Sequence, residues 1–417
     1  MSKTGTVSFI KISNSMFIVY CLTSFFPLMR VLPINRSYIG LVCALVIVTC
    51  YLFDVVFRRN TIKKQVLFIL LVLSALIVFP FLAGNGVISH RYIGTSMVFI
   101  APIVFDYYKE KNSLGDLKNI LLFVGVFALL TGIITYYKLL GDAYVSRAIK
   151  ANEQGEALSR QGVGGYDFIY ALVATGLLFL FISSVEKKLF RKIGGFSVFV
   201  FCLLLILKAN FLTAFIVYIL CSLLMVFLIL SRGKSVKTKI LLFLTATFFF
   251  VLLCNINGFL RMIEGVLPSR IAKVINSNEN NIVQSVYSNF VIDRFPEISS
   301  SINAFFANPI LGLALSDKLQ YSNGYLVGFG QHSFVFDTFA LYGLGLGICC
   351  VIIIFIPFRY YRHDIVNALS IPIMVCMVLL YFLNNATESI AIVIGVGYPL
   401  VRELYSSNFT VSVKKEV

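Results

Sequence analysis

The stretch QHSFVFDTFALYGLGLGICCVIIIFIPF, Gln331 to Phe358, carries a single carboxylate, Asp337, and opens with an imidazole, His332. About 20 predominantly apolar residues suffice to cross the ~30 Å hydrocarbon core of a bilayer as a helix, and this run is longer. Inside lipid every backbone polar group must be satisfied within the protein, so the run is a spanning helix. The whole chain has the same character. Of its 417 residues 59% are hydrophobic and 13% charged, and its mean hydropathy of +0.90 is far outside the soluble range. The fold class expected is all-α, a polytopic integral membrane protein forming one membrane domain over 1–417.

Eleven further runs bring the expected number of spans to about twelve. The first eight are Ile12 to Leu28, Tyr38 to Phe57, Val66 to Ala83, Tyr92 to Tyr107, Ile120 to Tyr137, Tyr166 to Ser184, Gly194 to Leu207 and Phe211 to Leu230. Ile240 to Asn255 precedes the quoted stretch, and Ile365 to Leu383 and Ile390 to Leu404 follow it. Only "KAN", Lys208 to Asn210, separates the seventh from the eighth. The basic N-terminal segment leads into the first run without a small-residue cleavage site, which reads as an uncleaved span.

With twelve spans the loops RRNTIKK, KEKNSLGDLK, EKKLFRK, SRGKSVKTK and RYYRHD and the VKKEV tail share one side. About 22 of the 35 Lys and Arg residues lie there, mostly in short loops, so the positive-inside rule makes that side, and both termini, cytoplasmic. The +16 balance thereby meets anionic membrane lipids and needs no nucleic acid. The nine cysteines fall in or at the ends of apolar runs and read as packing residues. Two long connections fall outside, 138–165 and 258–330, and the apolar spacing in RMIEGVLPSRIAKVI gives the second an amphipathic helix for the membrane surface.

His332 therefore opens a span on the outer side, directly after the largest loop. Two readings are open: an interfacial helix-end anchor, or an ionisable group of a site. The outer connections supply company. Arg147, Arg160, Arg261 and Arg270, with Arg294, occupy the long ones, and Arg91 follows His90 in a short one. Each alone reads as a solvated charge. Together, held against the positive-inside bias, they suit the oxygens of a diphosphate, which a guanidinium grips bidentately. Asp337, inside the span, is costly enough to mark a pairing site. Gly343 and Gly347 form a Gly-x-x-x-Gly spacing expected to pack helices closely. There is no His/Cys cluster at metal spacing, no phosphate-binding glycine loop and no nucleophile elbow, so no metal site or cofactor is expected and any transfer must use an activated donor.

The segment DRFPEISSSINAFFANPILGLAL, a polar spacer and GQHSFVFDTFALYGLGLG together resemble the signature region of the O-antigen ligase and Wzy-type O-antigen polymerase superfamily. The matching residues are Arg294, Asn308, Pro309, Gly312, His332, Leu341, Gly343 and Gly345, with Arg160 and Gly162 upstream. Family members often carry Asn after the histidine, where this chain has Ser333. The resemblance implies a GT-C-like membrane glycosyltransferase with a large external loop before its last three spans, in the bacterial inner membrane with its site facing the periplasm. It implies undecaprenyl-diphosphate-linked saccharide as donor and acceptor and, as a further expected partner, a chain-length regulator. Catalytic roles would fall to His332, as acceptor base, and to Arg294 and Arg160, as diphosphate stabilisers. Substrate contacts would come from Arg147, Arg261, Arg270, Arg91, Asn308 and Gly312. Polymerisation of repeat units is the preferred reading. Ligation of polymer to lipid A-core is the alternative within the superfamily, and a polysaccharide flippase or secondary transporter the alternative outside it.

Overall fold

The computed structural model describes residues 9–31, 36–57, 62–83, 97–149, 153–231, 295–315, 320–322, 325–327, 332–358, 364–385 and 387–413. The described chain is a helical bundle. In order come α1 (Phe9–Phe25), α2 (Arg36–Phe57), α3 (Lys64–Leu82), α4 (Met97–Glu110) and α5 (Leu114–Gly141). Two short helices follow, α6 (Val145–Ala148) and α7 (Glu153–Arg160), then α8 (Tyr166–Val185), α9 (Leu189–Lys208) and α10 (Leu212–Leu230). After the undescribed 232–294 come α11 (Phe295–Ala307), α12 (Phe334–Phe355), α13 (Asp364–Leu383), α14 (Glu388–Ile392) and α15 (Tyr398–Val413), the last two joined through a π-helical turn, Val393–Gly397. An antiparallel hairpin of β1 (Gln320–Ser322) and β2 (Tyr325–Val327), pairing Gln320 with Val327, adds the strands that the sequence did not suggest.

Seven helices among the described residues are long and apolar enough to cross a membrane, and Phe9–Phe25 and Asn367–Leu383 are shorter apolar helices. The protein is thus a polytopic membrane protein. The expected ninth run, 240–255, and the amphipathic stretch within 258–294 lie outside the described residues. The break at KAN is real: α9 ends at Lys208 and Asn210 takes a left-handed φ of 57° before α10 begins. Seven of the eight described cysteines are buried, as packing residues should be.

The ends of the bundle sort into two sets. At one, Lys63 Nζ pairs with Glu110 Oε1 at 2.6 Å, Lys111 with Asp54, and Lys109 Nζ with Glu403 Oε1 at 2.6 Å. Tyr405 donates to Glu186 Oε2 at 3.1 Å, and the buried Arg402 donates to the Pro357 carbonyl at 3.0 Å. These residues belong to or adjoin the loops that the charge bias assigns to a common side. At the other end Thr131 donates to the Phe25 carbonyl (3.0 Å), Tyr166 to Asn384 Oδ1 (2.6 Å) and Ser389 to the Ser24 carbonyl (3.0 Å). Asn384 of that set accepts the Phe334 N–H at the start of α12, two residues after His332.

One helix is broken where the sequence predicts close helix packing. Gly343 has φ 67° and ψ −168° inside α12, a conformation essentially confined to glycine. Its neighbour is not a helix face but the turn after α11: a Cβ on Gly343 would sit on the Ile310 carbonyl, and one on Gly312, itself at φ 70°, on the Leu341 carbonyl. The break frees the Leu344 N–H from the helix ladder, and the Pro309 carbonyl accepts it at 2.8 Å. An irregular backbone inside a spanning helix persists only where such partners exist. Gly347 is the second correction, since a Cβ there would meet the Phe339 ring of the same helix.

Alanine at Gly343 should cost about 1–3 kcal/mol from backbone conformation alone, and more from the clash, visible as a lowered midpoint of thermal unfolding in detergent. Gly345→Ala, whose Cβ meets nothing within 4 Å, should leave the midpoint unchanged or slightly higher.

Candidate functional site

Ser333 starts α12. Its Oγ accepts the Phe336 N–H at 3.2 Å, and the Phe334 N–H is taken by the Asn384 carbonyl at the end of α13. Ser and Asn are comparably good N-caps. Ser333 thus caps α12 directly after the imidazole.

His332, 46% exposed in its side chain, is held by α11: its Nε2 lies 2.9 Å from Glu297 Oε1. One turn further along α11, Ser301 donates to Asp337 Oδ1 at 2.6 Å, and both residues are buried. Phe305 then packs edge-on against Phe339 with ring centres 5.8 Å apart, and the 308–312 turn seats in the break at Gly343. Residue numbers rise together on both sides of this seam. Helix α11 therefore runs parallel to the first half of α12, and Glu297, Ser301 and Phe305 form an i, i+4, i+8 stripe facing it.

Arg147 arrives from α6. Its NH2 donates to the Asn210 carbonyl at 2.5 Å and its guanidinium carbon lies 4.7 Å from the centre of the Phe211 ring, a cation–π distance. Phe211 also packs edge-on against Tyr166 and Tyr170, at 5.8 and 5.7 Å. Tyr166 bonds Asn384, whose carbonyl starts α12, so Arg147 connects through the Phe211 ring, the Tyr166 ring and Asn384 to Phe334, two residues after His332. A half-buried guanidinium stacked on an aromatic is oriented in a way a solvated one is not.

The other expected residues separate. Arg160 lies exposed at the end of α7, 3.7 Å from Glu156 of the same helix, an arrangement worth little energy. Gly312 has a packing role that needs no ligand, and its N–H donates to the Asn308 carbonyl at 2.9 Å. Arg91, Arg261, Arg270 and Arg294 lie outside the described residues. Sequence reasoning missed Glu297, Asn384, Tyr166 and Asn210. Glu297 alone carried a signal, as the one acid between Phe295 and Leu315.

Compared with known proteins, the chain matches no family model and no curated sequence.

The charge bias leads to the expectation that this end lies outside. A cysteine replacing the exposed Gln161, in a variant with the native cysteines removed, should react with a membrane-impermeant thiol reagent in intact cells, whereas one replacing the exposed Lys192 should react only after lysis. The opposite pattern would invert the orientation.

Proposed function

We propose that the protein is a metal-independent membrane glycosyltransferase that polymerises polyprenyl-diphosphate-linked oligosaccharide repeats at the outer face of the bacterial inner membrane. The observation that carries this reading is the 2.9 Å pair of His332 and Glu297 at the mouth of a span. A carboxylate on Nε2–H orients the ring, sets Nδ1 as the basic nitrogen and stabilises the imidazolium that forms. In the proposed step the acceptor hydroxyl loses its proton to Nδ1 as its oxygen bonds the anomeric carbon of the donor. The carbon–oxygen bond to phosphate breaks, and the diphosphate leaves with the electron pair. Guanidinium groups aimed at that developing charge lower the barrier. Arg147, oriented by Phe211 and Asn210, is the described residue suited to this, and the family resemblance adds Arg294 and Arg160.

The test is surface polysaccharide on a gel, from a deletion strain complemented with variants at matched membrane abundance. His332→Ala should lower turnover by roughly two to four orders of magnitude, the usual loss of a general base, leaving core capped with single repeats. Arg147→Lys should impair polymerisation although it keeps the charge, because an ammonium supplies neither the fork nor the stack. Lys192→Arg, at the opposite end, should be silent. Loss of all attachment with accumulated lipid-linked polymer would assign the protein as a ligase, and unchanged glycans in the deletion strain would exclude both.

A further inference from the structure

The seam between α11 and α12 fixes how deep α11 reaches. Gly343 lies nine residues beyond Phe334, the first residue of α12, a rise of about 14 Å at 1.5 Å per residue. A second helix gives a shallower figure. Tyr342 donates to the Leu76 carbonyl of α3 at 3.3 Å, and Leu76 lies six residues, about 9 Å, short of the end of α3 at Leu82. The turn after α11, docked at Gly343, therefore stands about 9–14 Å from the helix ends, well inside one leaflet of a ~30 Å hydrocarbon layer.

The composition of α11 and its turn changes with that depth. The half at the His332 end, FPEISSSIN (295–303), holds the acid, three serines and an asparagine, while AFFANPILG (304–312) has Asn308 as its one polar side chain. In that deep half Phe306 is 71% exposed, Ile310 78% and Leu311 58%. On α12 beside them Leu344, Ile348 and Ile352 are about half exposed. The apolar surface is thus continuous with that of a helix already expected to meet lipid, and a helix lying flat on the membrane would spread its polar and apolar residues along opposite faces instead of opposite ends.

We propose that residues 295–312 form a re-entrant half-helix immersed in the leaflet on the His332 side, with Phe306, Ile310 and Leu311 covered by phospholipid acyl chains. Part of the long connection before the last three spans is then a membrane element, and Glu297 reaches His332 from within the headgroup layer. The proposal does not depend on the chemistry that the site performs.

The chain contains no tryptophan, so a single introduced indole reports its own surroundings. Full-length Ile310→Trp, Phe295→Trp and Ile348→Trp would each be placed in nanodiscs of phosphatidylcholine, with or without bromine on the acyl chains, and titrated with iodide. Ile310→Trp should be quenched by brominated chains as strongly as Ile348→Trp, and should be several-fold less sensitive to iodide than Phe295→Trp. Iodide sensitivity equal to that of Phe295→Trp would place the segment at the surface, and protection from both quenchers would show that protein covers it. Either result overturns the proposal. Phe306→Trp provides the same readout should Ile310→Trp fail to fold.

Discussion

Two glycines hold the His332 half of this bundle in register. Gly312 and Gly343, both at positive φ, bring the turn after α11 against the backbone of α12 so closely that neither tolerates a Cβ. A helix broken in mid-span is expensive in lipid, because its freed N–H and C=O groups find no water. Here the Pro309 carbonyl takes the Leu344 N–H, so the turn repairs the break that admits it. Everything on the parallel seam above follows from that anchor. Phe305 meets Phe339, Ser301 meets Asp337 and Glu297 meets His332, in order along both helices.

The two ends of the bundle are built from different chemistry. One is stitched by lysine–carboxylate pairs, several of them part-exposed and individually weak, and by the buried Arg402 that donates to the Pro357 carbonyl and sits 5.6 Å from the centre of the Tyr398 ring. The other is held by hydrogen bonds from neutral donors to backbone carbonyls, among them those of Phe25, Ser24 and Asn384. Neutral bonds to backbone fix the ends of α1, α12 and α13, and the Tyr166 hydroxyl ties the start of α8 to Asn384 Oδ1. His332 and Arg147 add their own contacts to that frame, His332 with Glu297 and Arg147 with the Asn210 carbonyl and the Phe211 ring.

Much of the fold was legible because lipid imposes a simple constraint on composition. Among the described residues the apolar runs are helical with ends displaced by a few residues, and the three-residue KAN break was found because it interrupts an otherwise continuous apolar run. The candidate site was less legible. Gly343 reads in sequence as part of a helix-packing pair, and only the docked backbone of 308–312 reveals it as a break, a relation between segments some thirty residues apart. Glu297 sits in a serine-rich stretch with the look of a surface loop, and nothing local marks it as the partner of His332. Asn384 acts through its carbonyl, which every residue has, and through Oδ1, whose partner Tyr166 is far away in sequence, so nothing local marks it.

The central claim is that α11 lies parallel to the first half of α12, in the register that sets Glu297 against His332. Disulfide trapping tests it directly, in a variant freed of native cysteines and oxidised in the membrane. Ser301→Cys combined with Asp337→Cys replaces a pair whose oxygens are 2.6 Å apart, and should cross-link readily within one chain. Ser301→Cys combined with Leu344→Cys, displaced along the seam, should not. No link in the first pair, or equal linking in both, would contradict the parallel seam and the placement of the site that rests on it.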